Sequence, residues 1–226
     1  MIEPLISVLS SMATRPLLTE LAATWDGPVS LEAVGGVEAA RRIRAGATFH
    51  VVILAEGPMR ALAREGFVAE ASLAPIAISS VAVAVREGEP LPDLSSPAAL
   101  ERAVSAAGRI GFSTGPSGDH LLGLLDRWGV RAALGDRLVQ APAGIPVGRL
   151  LAEEAVDMAF QQNSELIGLP GIVVAGALPG DAACDTAFVA GLTRRASDAA
   201  AAGRFIALLT AADTEQAKRR HGMRPA

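Results

Sequence analysis

The chain has 226 residues, of which 50% are hydrophobic and 19% are charged, and its formal net charge is −4. This length and composition exclude a disordered chain and suit a folded protein with a substantial core. The basic residues are scattered, whereas nucleic-acid binding needs clustered arginine and lysine, so we expect no nucleic-acid partner. No run of about 18 apolar residues occurs, so we expect no membrane-embedded segment.

In chain order, the first part of the sequence alternates short apolar runs with helical patterns. The predicted elements are a strand at 5–10, a helix at 15–25, a strand at 29–34, a helix at 37–46, a strand at 49–55 and a helix at 58–65. Thr14 is the predicted N-cap of the first helix, and Pro16 lies in its first turn. This βαβαβα order predicts a mostly parallel sheet covered by helices.

The pattern changes at the long strand-like stretch 75–88, which predicts a strand that crosses from one lobe to another. The elements predicted after it are a helix at 96–108 with Ser96 as N-cap, a strand at 109–113, helices at 121–129 and 147–155, strands at 156–160, 171–178 and 185–192, and two helices in the tail. We predict an α/β fold with two lobes, each a mostly parallel sheet flanked by helices, and a ligand cleft between them. Lobe 1 is residues 1–79 plus 193–226, and lobe 2 is residues 80–192.

Three strand-to-helix turns are small and polar, and each precedes a helix. They are Ser10-Ser11-Met12-Ala13, Gly35-Gly36-Val37 and the run 113–118, in which Ser113, Thr114, Ser117 and Gly118 are the candidate residues. The first amides of a helix have no partner within the helix, and small residues let a ligand reach the backbone. In open α/β sheets, ligands bind at the carboxyl ends of strands, where these turns lie. The turns therefore predict a site for a small anion.

Other side chains complete the candidate site. Arg15 could clamp a carboxylate, and an amide run that includes Gln161 stands at the end of a predicted strand. His120 and Glu56 are the candidate catalytic residues if the protein is an enzyme. The remaining candidate ligand-binding residues are Val147, Gln162 and Asn163. The three histidines are scattered and the chain has one cysteine, so we predict no metal site and no cofactor.

Four segments resemble the periplasmic molybdate-binding proteins of ABC transporters, which have the type II periplasmic binding fold. These segments are "ISVLSSMATRPLLTELAATW", "GGVEAARRIRAGATFHVVILAE", "STGPSGDHLLGLLDRWGV" and "GRLLAEEAVDMAFQQNSEL". The last resembles a family strand that ends in Tyr-Gln-Ser-Glu-Leu. The resemblance spans nearly the whole chain and implies a binding protein that passes a small anionic ligand to an ABC permease.

The residues that the resemblance assigns to molybdate are not matched. Ala13 stands where the family has a serine, the turn at 35–37 lacks the second serine, and Gln162 stands where the family has a tyrosine. Backbone amides with Arg15 suit a larger organic anion, and a polycarboxylate is the preferred ligand class. Molybdate or another oxyanion is the alternative ligand.

The sequence leaves open whether the protein is a binding protein or an enzyme. Aconitate isomerase is similar to the same family, which implies an alternative function as an isomerase that moves a proton and a double bond in a tricarboxylic acid. A third hypothesis is a sensor, because effector domains of LysR-type regulators share the fold, although no helix-turn-helix precedes residue 5. We expect a cytoplasmic protein if Met1 is the natural start and a periplasmic one if a leader was removed.

Overall fold

The computed structural model describes residues 4–226. Its strands are β1 (Ile6–Ser11), β2 (Val29–Val34), β3 (Val51–Ala55), β4 (Ala74–Arg86), β5 (Ile110–Phe112), β6 (Leu138–Gln140), β7 (Met158–Gln162), β8 (Ile172–Ala177), β9 (Asp185–Leu192) and β10 (Met223–Arg224). Its α-helices are α1 (Arg15–Ala22), α2 (Gly36–Arg44), α3 (Glu56–Arg64), α4 (Pro97–Ala106), α5 (Pro116–Trp128), α6 (Arg131–Leu134), α7 (Val147–Ala152), α8 (Asn163–Leu166), α9 (Ala199–Thr210) and α10 (Glu215–Arg220). The chain divides into two units: residues up to Ser79 with Thr186–Ala226 form unit 1, and Ser80–Asp185 form unit 2.

Unit 1 is built on the parallel strands β2-β1-β3, which β9 extends as an antiparallel neighbour of β3. Consecutive residues of β3 are buried on opposite faces of this sheet. Val51 and Ile53 belong to one core cluster, with residues of α1 and α9, whereas Val52 and Leu54 belong to another, with residues of α2 and α3. An apolar run without alternation is what a strand covered on both faces requires, and helices therefore pack on both faces of the sheet.

Unit 2 has the parallel strands β6-β5-β7, with the second half of β4 antiparallel to both β7 and β8. Valine and alanine alternate along β4, so that the larger side chains face one core cluster and the smaller side chains face another. Val81 and Val83 pack with residues of α4 and α5, whereas Ala82 and Ala84 pack in a smaller cluster with residues of α7. Small side chains on one face of β4 therefore let α7 and its neighbours lie close to the sheet.

Several details differ from the sequence predictions. Each sheet has three parallel strands, but β4, β8, β9 and β10 pair antiparallel, so both sheets are mixed. The return to unit 1 falls before β9, because that strand pairs with β3, whereas the sequence analysis places residues up to 192 in lobe 2. The ligand cleft expected between the lobes stays a prediction.

The two N-cap residues predicted from the sequence behave differently. Ser96 caps α4 as predicted, since its hydroxyl accepts the backbone N–H of Ala99 at 3.1 Å. Thr14 occupies the N-cap position of α1 but its hydroxyl does not cap; it donates instead to the Ser11 carbonyl at 3.1 Å. Thr14 therefore stabilises the turn that precedes the helix rather than the helix itself.

Candidate functional site

The first half of the candidate site lies at the carboxyl edge of the unit 1 sheet. Ser11 at the end of β1 pairs with Val34 at the end of β2, and Ser10 pairs with Ile53 near the end of β3. Each of these strands leads within a few residues into a helix. The turn at 10–13 and the turn at 35–37 are therefore neighbours at one edge, as the parallel order predicts.

The first turn holds two buried hydroxyls that have no hydrogen-bond partner in the described part of the chain. Ser10 is 0% exposed and Ser11 is 7% exposed, and neither Oγ makes a hydrogen bond to the described residues. A buried polar group left without a partner costs about 1–3 kcal/mol, so two side by side are unusual in a structural turn. They are suited to donate hydrogen bonds to a ligand.

The other residues of the first turn and the start of α1 differ in their burial. Ala13 is 3% exposed and its methyl group packs into the core with residues of α1, so its side chain supports the turn. Met12 is half-buried and begins the short 3-10 turn Met12–Thr14. Arg15 is exposed at the first position of α1. Of the predicted ligand contacts here, Ala13 can offer only its backbone.

The second turn is open and apolar. Gly35 is the N-cap of α2, and a side chain added at Gly35 would meet no atom within 4 Å. A Cβ at Gly36 would lie 4.0 Å from the Cβ of Ser11, which places the start of α2 beside the unpartnered hydroxyls. Val37, in the first turn of α2, is 71% exposed. The first amides of this nine-residue helix have no partner within it, and the helix starts beside Ser11.

Glu38 lies in the first turn of α2, but arginines neutralise it. Its carboxylate accepts the Arg41 side chain at 2.7 Å and the Arg42 side chain at 2.9 Å. These hydrogen bonds lower the pKa of Glu38 to about 2. The carboxylate is therefore paired with two guanidinium groups and does not cancel the positive end of the α2 dipole for an incoming anion.

The second half of the candidate site lies at the carboxyl edge of the unit 2 sheet. Phe112 at the end of β5 pairs in parallel with Gln140 of β6 and with Phe160 of β7. Ser113 follows Phe112 and Gln161 follows Phe160, so these polar residues stand at the same edge. The 13-residue helix α5 and the short helices α7 and α8 begin just beyond it.

The turn before α5 is held by its own side chains. The hydroxyls of Ser113 and Ser117 are 2.8 Å apart, and Ser117 is 3% exposed. A Cβ at Gly118 would lie 1.9 Å from the Ser113 carbonyl oxygen, so this glycine is needed for the close approach of the helix to the turn. Thr114 is exposed. The predicted ligand role of Gly118 therefore has a packing explanation.

The two candidate catalytic residues are both engaged within their own units. His120 Nε2 lies 2.8 Å from the Ala182 carbonyl oxygen, so it is the protonated, donating nitrogen. Glu56 begins α3 and forms an exposed ion pair with Arg60 at 2.8 Å. His120 thus ties α5 to the turn Gly180–Ala182, and Glu56 is in a common helix-surface pair.

A hydrogen-bonded chain that sequence reasoning missed crosses the second edge. The Gln161 side-chain oxygen accepts the backbone N–H of Val147 at 2.8 Å, and its nitrogen donates to the carboxyl group of Glu165. The predicted Val147 amide is therefore engaged. Gln162 is buried opposite Val81 of β4.

Asn163 is the half-buried first residue of α8. Glu165, two residues further on, is half-buried and has no ion pair among the described residues. Burial raises the pKa of its carboxyl group to about 7. The segment "QQNSEL" shows a glutamate just beyond a predicted strand. The sequence does not show that this glutamate forms no ion pair with the described residues.

Two further observations concern metal-binding clusters and membrane-spanning helices. Among residues 4–226, no group of three or more histidine, cysteine, aspartate or glutamate side chains could hold a metal ion. Over the same residues, no helix is both long and apolar enough to cross a membrane. The candidate residues offer backbone amides, hydroxyls, side-chain amides, the exposed Arg15, the imidazole of His120 and the carboxyl groups of Glu56 and Glu165.

The fold is the type II periplasmic binding fold. The solved structure of the periplasmic molybdate-binding protein from Azotobacter vinelandii has a TM-score of 0.83 at 18% identity, covering 96% of this chain and 98% of that one. L-phospholactate-bound PEB3 has a TM-score of 0.74 at 14% identity, covering 98% of this chain and all of that one. These TM-scores show a shared fold.

The family follows from the sequence match. The sequence profile described as "Bacterial extracellular solute-binding protein" matches residues 6–224, and the chain belongs to this family. A curated relative, aconitate isomerase from Pseudomonas sp, is 29% identical over 176 residues, which cover 77% of this chain and 67% of that protein. The resemblance to molybdate-binding proteins is confirmed at the level of fold and family.

Proposed function

We propose that the protein binds a small organic anion, preferably a polycarboxylate, at the carboxyl edge of the unit 1 sheet, and passes it to an ABC permease. The buried, unpartnered hydroxyls of Ser10 and Ser11 beside the start of α2 carry this proposal. A bound carboxylate would accept from these hydroxyls and from the helix amides, which relieves the cost of leaving them unpaired. The extracellular family supports a periplasmic location.

Val37 favours an organic over an inorganic anion. A valine side chain that is 71% exposed in the first turn of α2 offers apolar area but no donor. A hydrated tetrahedral oxyanion gains nothing from this surface, whereas the carbon skeleton of a polycarboxylate would cover it. The L-phospholactate of the PEB3 structure is an organic anion bound by a protein of the same fold.

The test is isothermal titration calorimetry with trans-aconitate, molybdate and sulfate. We expect trans-aconitate to bind, and Ser11→Ala to weaken this binding at least about tenfold, because a hydrogen bond to a charged group contributes about 1.5–3 kcal/mol. The same change should not lower the free energy of unfolding, since the hydroxyl makes no hydrogen bond to any of residues 4–226. Ser105→Ala, on the exposed surface of α4, is the control.

A second substitution tests the class of ligand. Val37→Ser should weaken trans-aconitate binding and strengthen molybdate binding, because it exchanges apolar contact for a donor. Val173→Ser changes an exposed valine on β8 and serves as the matched control. Tight molybdate or sulfate binding by the unmodified protein, with no heat from trans-aconitate, would refute the organic-anion proposal.

The aconitate isomerase relative favours a second candidate function, the isomerisation of trans-aconitate to the cis acid. The reaction removes a proton from one carbon and returns one to another while the double bond shifts, so atoms and charge balance. His120 could exchange a proton only through Nδ1, since Nε2 donates to the Ala182 carbonyl. Proton NMR of trans-aconitate with the protein in D₂O would detect the cis isomer. An unchanged spectrum over hours would exclude this function.

A further inference from the structure

A cavity at the amino edge of the unit 1 sheet belongs to no part of the candidate site. Its volume is about 210 Å³. The residues that line it come from the end of α2 and from the segments after α3 and β9, and they are Ile43, Ala47, Gly66, Phe67, Thr193, Arg194 and Arg195. Leu192 at the end of β9 pairs with Val51 at the start of β3, whereas Ser10 of the first turn pairs with Ile53. The cavity therefore lies at the opposite edge of the sheet from the first turn.

The lining of this cavity carries two positive charges and no negative one. Arg194 and Arg195 are exposed, form no ion pair with residues 4–226, and are the two charged residues of the lining. Glu65, which precedes Gly66 in the chain, accepts the Arg44 side chain at 2.6 Å and 2.8 Å. Because that carboxylate is already paired with its own arginine, the two arginines of the cavity keep their charge for an anion.

The guanidinium group of Arg195 is held in place and keeps unused donors. Its Nη1 donates to the Gly46 carbonyl at 3.0 Å, and Gly46 precedes Ala47 of the cavity lining. This hydrogen bond satisfies a carbonyl at the end of α2 and fixes the guanidinium there. Its Nε and Nη2 groups donate to no acceptor among residues 4–226, and these two N–H groups together match the two oxygens of one carboxylate.

Arg194 supplies a second guanidinium. Its backbone N–H donates to the Phe67 carbonyl at 2.9 Å, which ties the segment after β9 to the segment after α3. Its side chain makes no hydrogen bond in the described part of the chain. Neither the fold nor a neighbouring carboxylate therefore occupies the guanidinium group of Arg194.

The rest of the lining is mostly apolar and fits a ring in size. Ile43 and Phe67 pack in the core cluster that α2 and α3 form with the sheet, and Ala47 adds a methyl group. The Thr193 hydroxyl is engaged, since it donates to the Phe49 carbonyl. An apolar cavity of about 150 Å³ holds one benzene molecule. A volume of about 210 Å³ therefore accommodates one ring that carries a carboxylate group.

We propose that this cavity is a second ligand site, separate from the site of the proposed function, and that it binds one small aromatic monocarboxylate. The carboxylate accepts hydrogen bonds from Arg195 and Arg194, and the ring packs against Phe67 and Ala47. The apolar contact favours a ring over an inorganic anion, and the two guanidinium groups favour a charged ring over a neutral one of the same shape.

The test is titration of nitrogen-15-labelled protein with benzoate, followed by the amide signals in two-dimensional NMR spectra. We expect saturable shifts of the amides of Ala47, Gly66 and Thr193, and none in the turns at 10–13 and 35–37. Benzamide has the shape of benzoate without its charge. It should bind at least about tenfold more weakly, because hydrogen bonds to a charged group are the stronger ones.

Variants test the contacts one at a time. Arg194→Gln and Arg195→Gln should each weaken benzoate binding at least about tenfold. Ala47→Leu should abolish binding with both arginines intact, because the larger side chain takes up space at the cavity. Arg127→Gln replaces an exposed arginine of α5 that forms no ion pair with the described residues, and it should bind as wild type. The urea denaturation midpoint of each variant separates lost binding from lost folding.

The outcomes separate this proposal from the proposed function. Benzoate shifts that occur only away from the cavity, or no shifts at all, overturn the second site and leave the proposed function standing. Shifts at the cavity that neither arginine variant weakens also overturn it. Saturable shifts at the cavity that Arg194→Gln weakens in a folded protein support the second site, even where trans-aconitate gives no heat and the proposed function fails.

Discussion

Replacing Glu165 by glutamine should make the stability of the protein less dependent on pH. Burial raises the pKa of this carboxyl from 4.5 to about 7. The unfolded chain therefore binds the proton more weakly than the folded protein, and the carboxyl favours folding fully only below about pH 4.5. This contribution is lost as the pH rises from about 4.5 to about 7, and it is absent above that range.

The size of the effect follows from the shift. A change of about 2.5 pKa units, each worth about 1.4 kcal/mol, gives a loss of about 3 kcal/mol between pH 4 and pH 8. Glutamine keeps the shape and accepts the Gln161 hydrogen bond but does not ionise. The free energy of unfolding of Glu165→Gln, minus that of wild type, should therefore be more favourable at pH 8 than at pH 4 by roughly 2–3 kcal/mol.

Urea denaturation followed by circular dichroism at pH 4, 6 and 8 measures this difference. Comparing the variant with wild type at each pH cancels the titration of all other groups. Glu153→Gln, whose carboxylate forms an exposed pair with Arg149, should show a difference of at most about 1 kcal/mol. If the Glu165→Gln difference is the same at pH 4 and pH 8, the burial argument for Glu165 is wrong.

Three further predictions concern residues of unit 2. Gln161→Met should lower the free energy of unfolding by about 1–3 kcal/mol in urea denaturation, because the Val147 N–H loses its acceptor; an unchanged midpoint would contradict the hydrogen-bonded chain. Gly118→Ala should cost about 1–3 kcal/mol through overlap with a backbone carbonyl, whereas Gly123→Ala on the same helix meets nothing within 4 Å and should stabilise by up to about 1 kcal/mol. Thermal unfolding that moves both variants in the same direction would refute this contrast. Ser96→Ala should cost about 1 kcal/mol by removing the α4 cap, and equal melting temperatures would speak against the cap.

Sequence patterns were reliable where a single element decides its own structure. The run at 29–34 and the run at 185–192 are strands at the predicted bounds, and Ser96 caps its helix. These outcomes depend on neighbours a few residues away, which the sequence displays directly. The start of α5 was predicted too late in the chain. The helix begins at Pro116 rather than near 121, because the glycine-rich run is helical where it packs against the preceding turn.

The sequence also predicted only part of the candidate site. The order of strands and turns placed Ser10, Ser11 and the glycines at 35–36 at one sheet edge, since parallel strands end on the same side. Which polar atoms stay unpaired depends on contacts between distant residues. The hydroxyl of Ser113 pairs with that of Ser117, whereas the hydroxyls of Ser10 and Ser11 have no hydrogen-bond partner among the residues that the structure describes.

By itself, the sequence determined the α/β class, the order of the elements and the small polar turns after the strands, because these follow from local periodicity and turn chemistry. Only the tertiary structure decided that β9 returns to β3 and that Gln161 joins the Val147 amide to Glu165. The raised pKa of Glu165 also depends on the tertiary structure, because desolvation depends on what packs around a side chain.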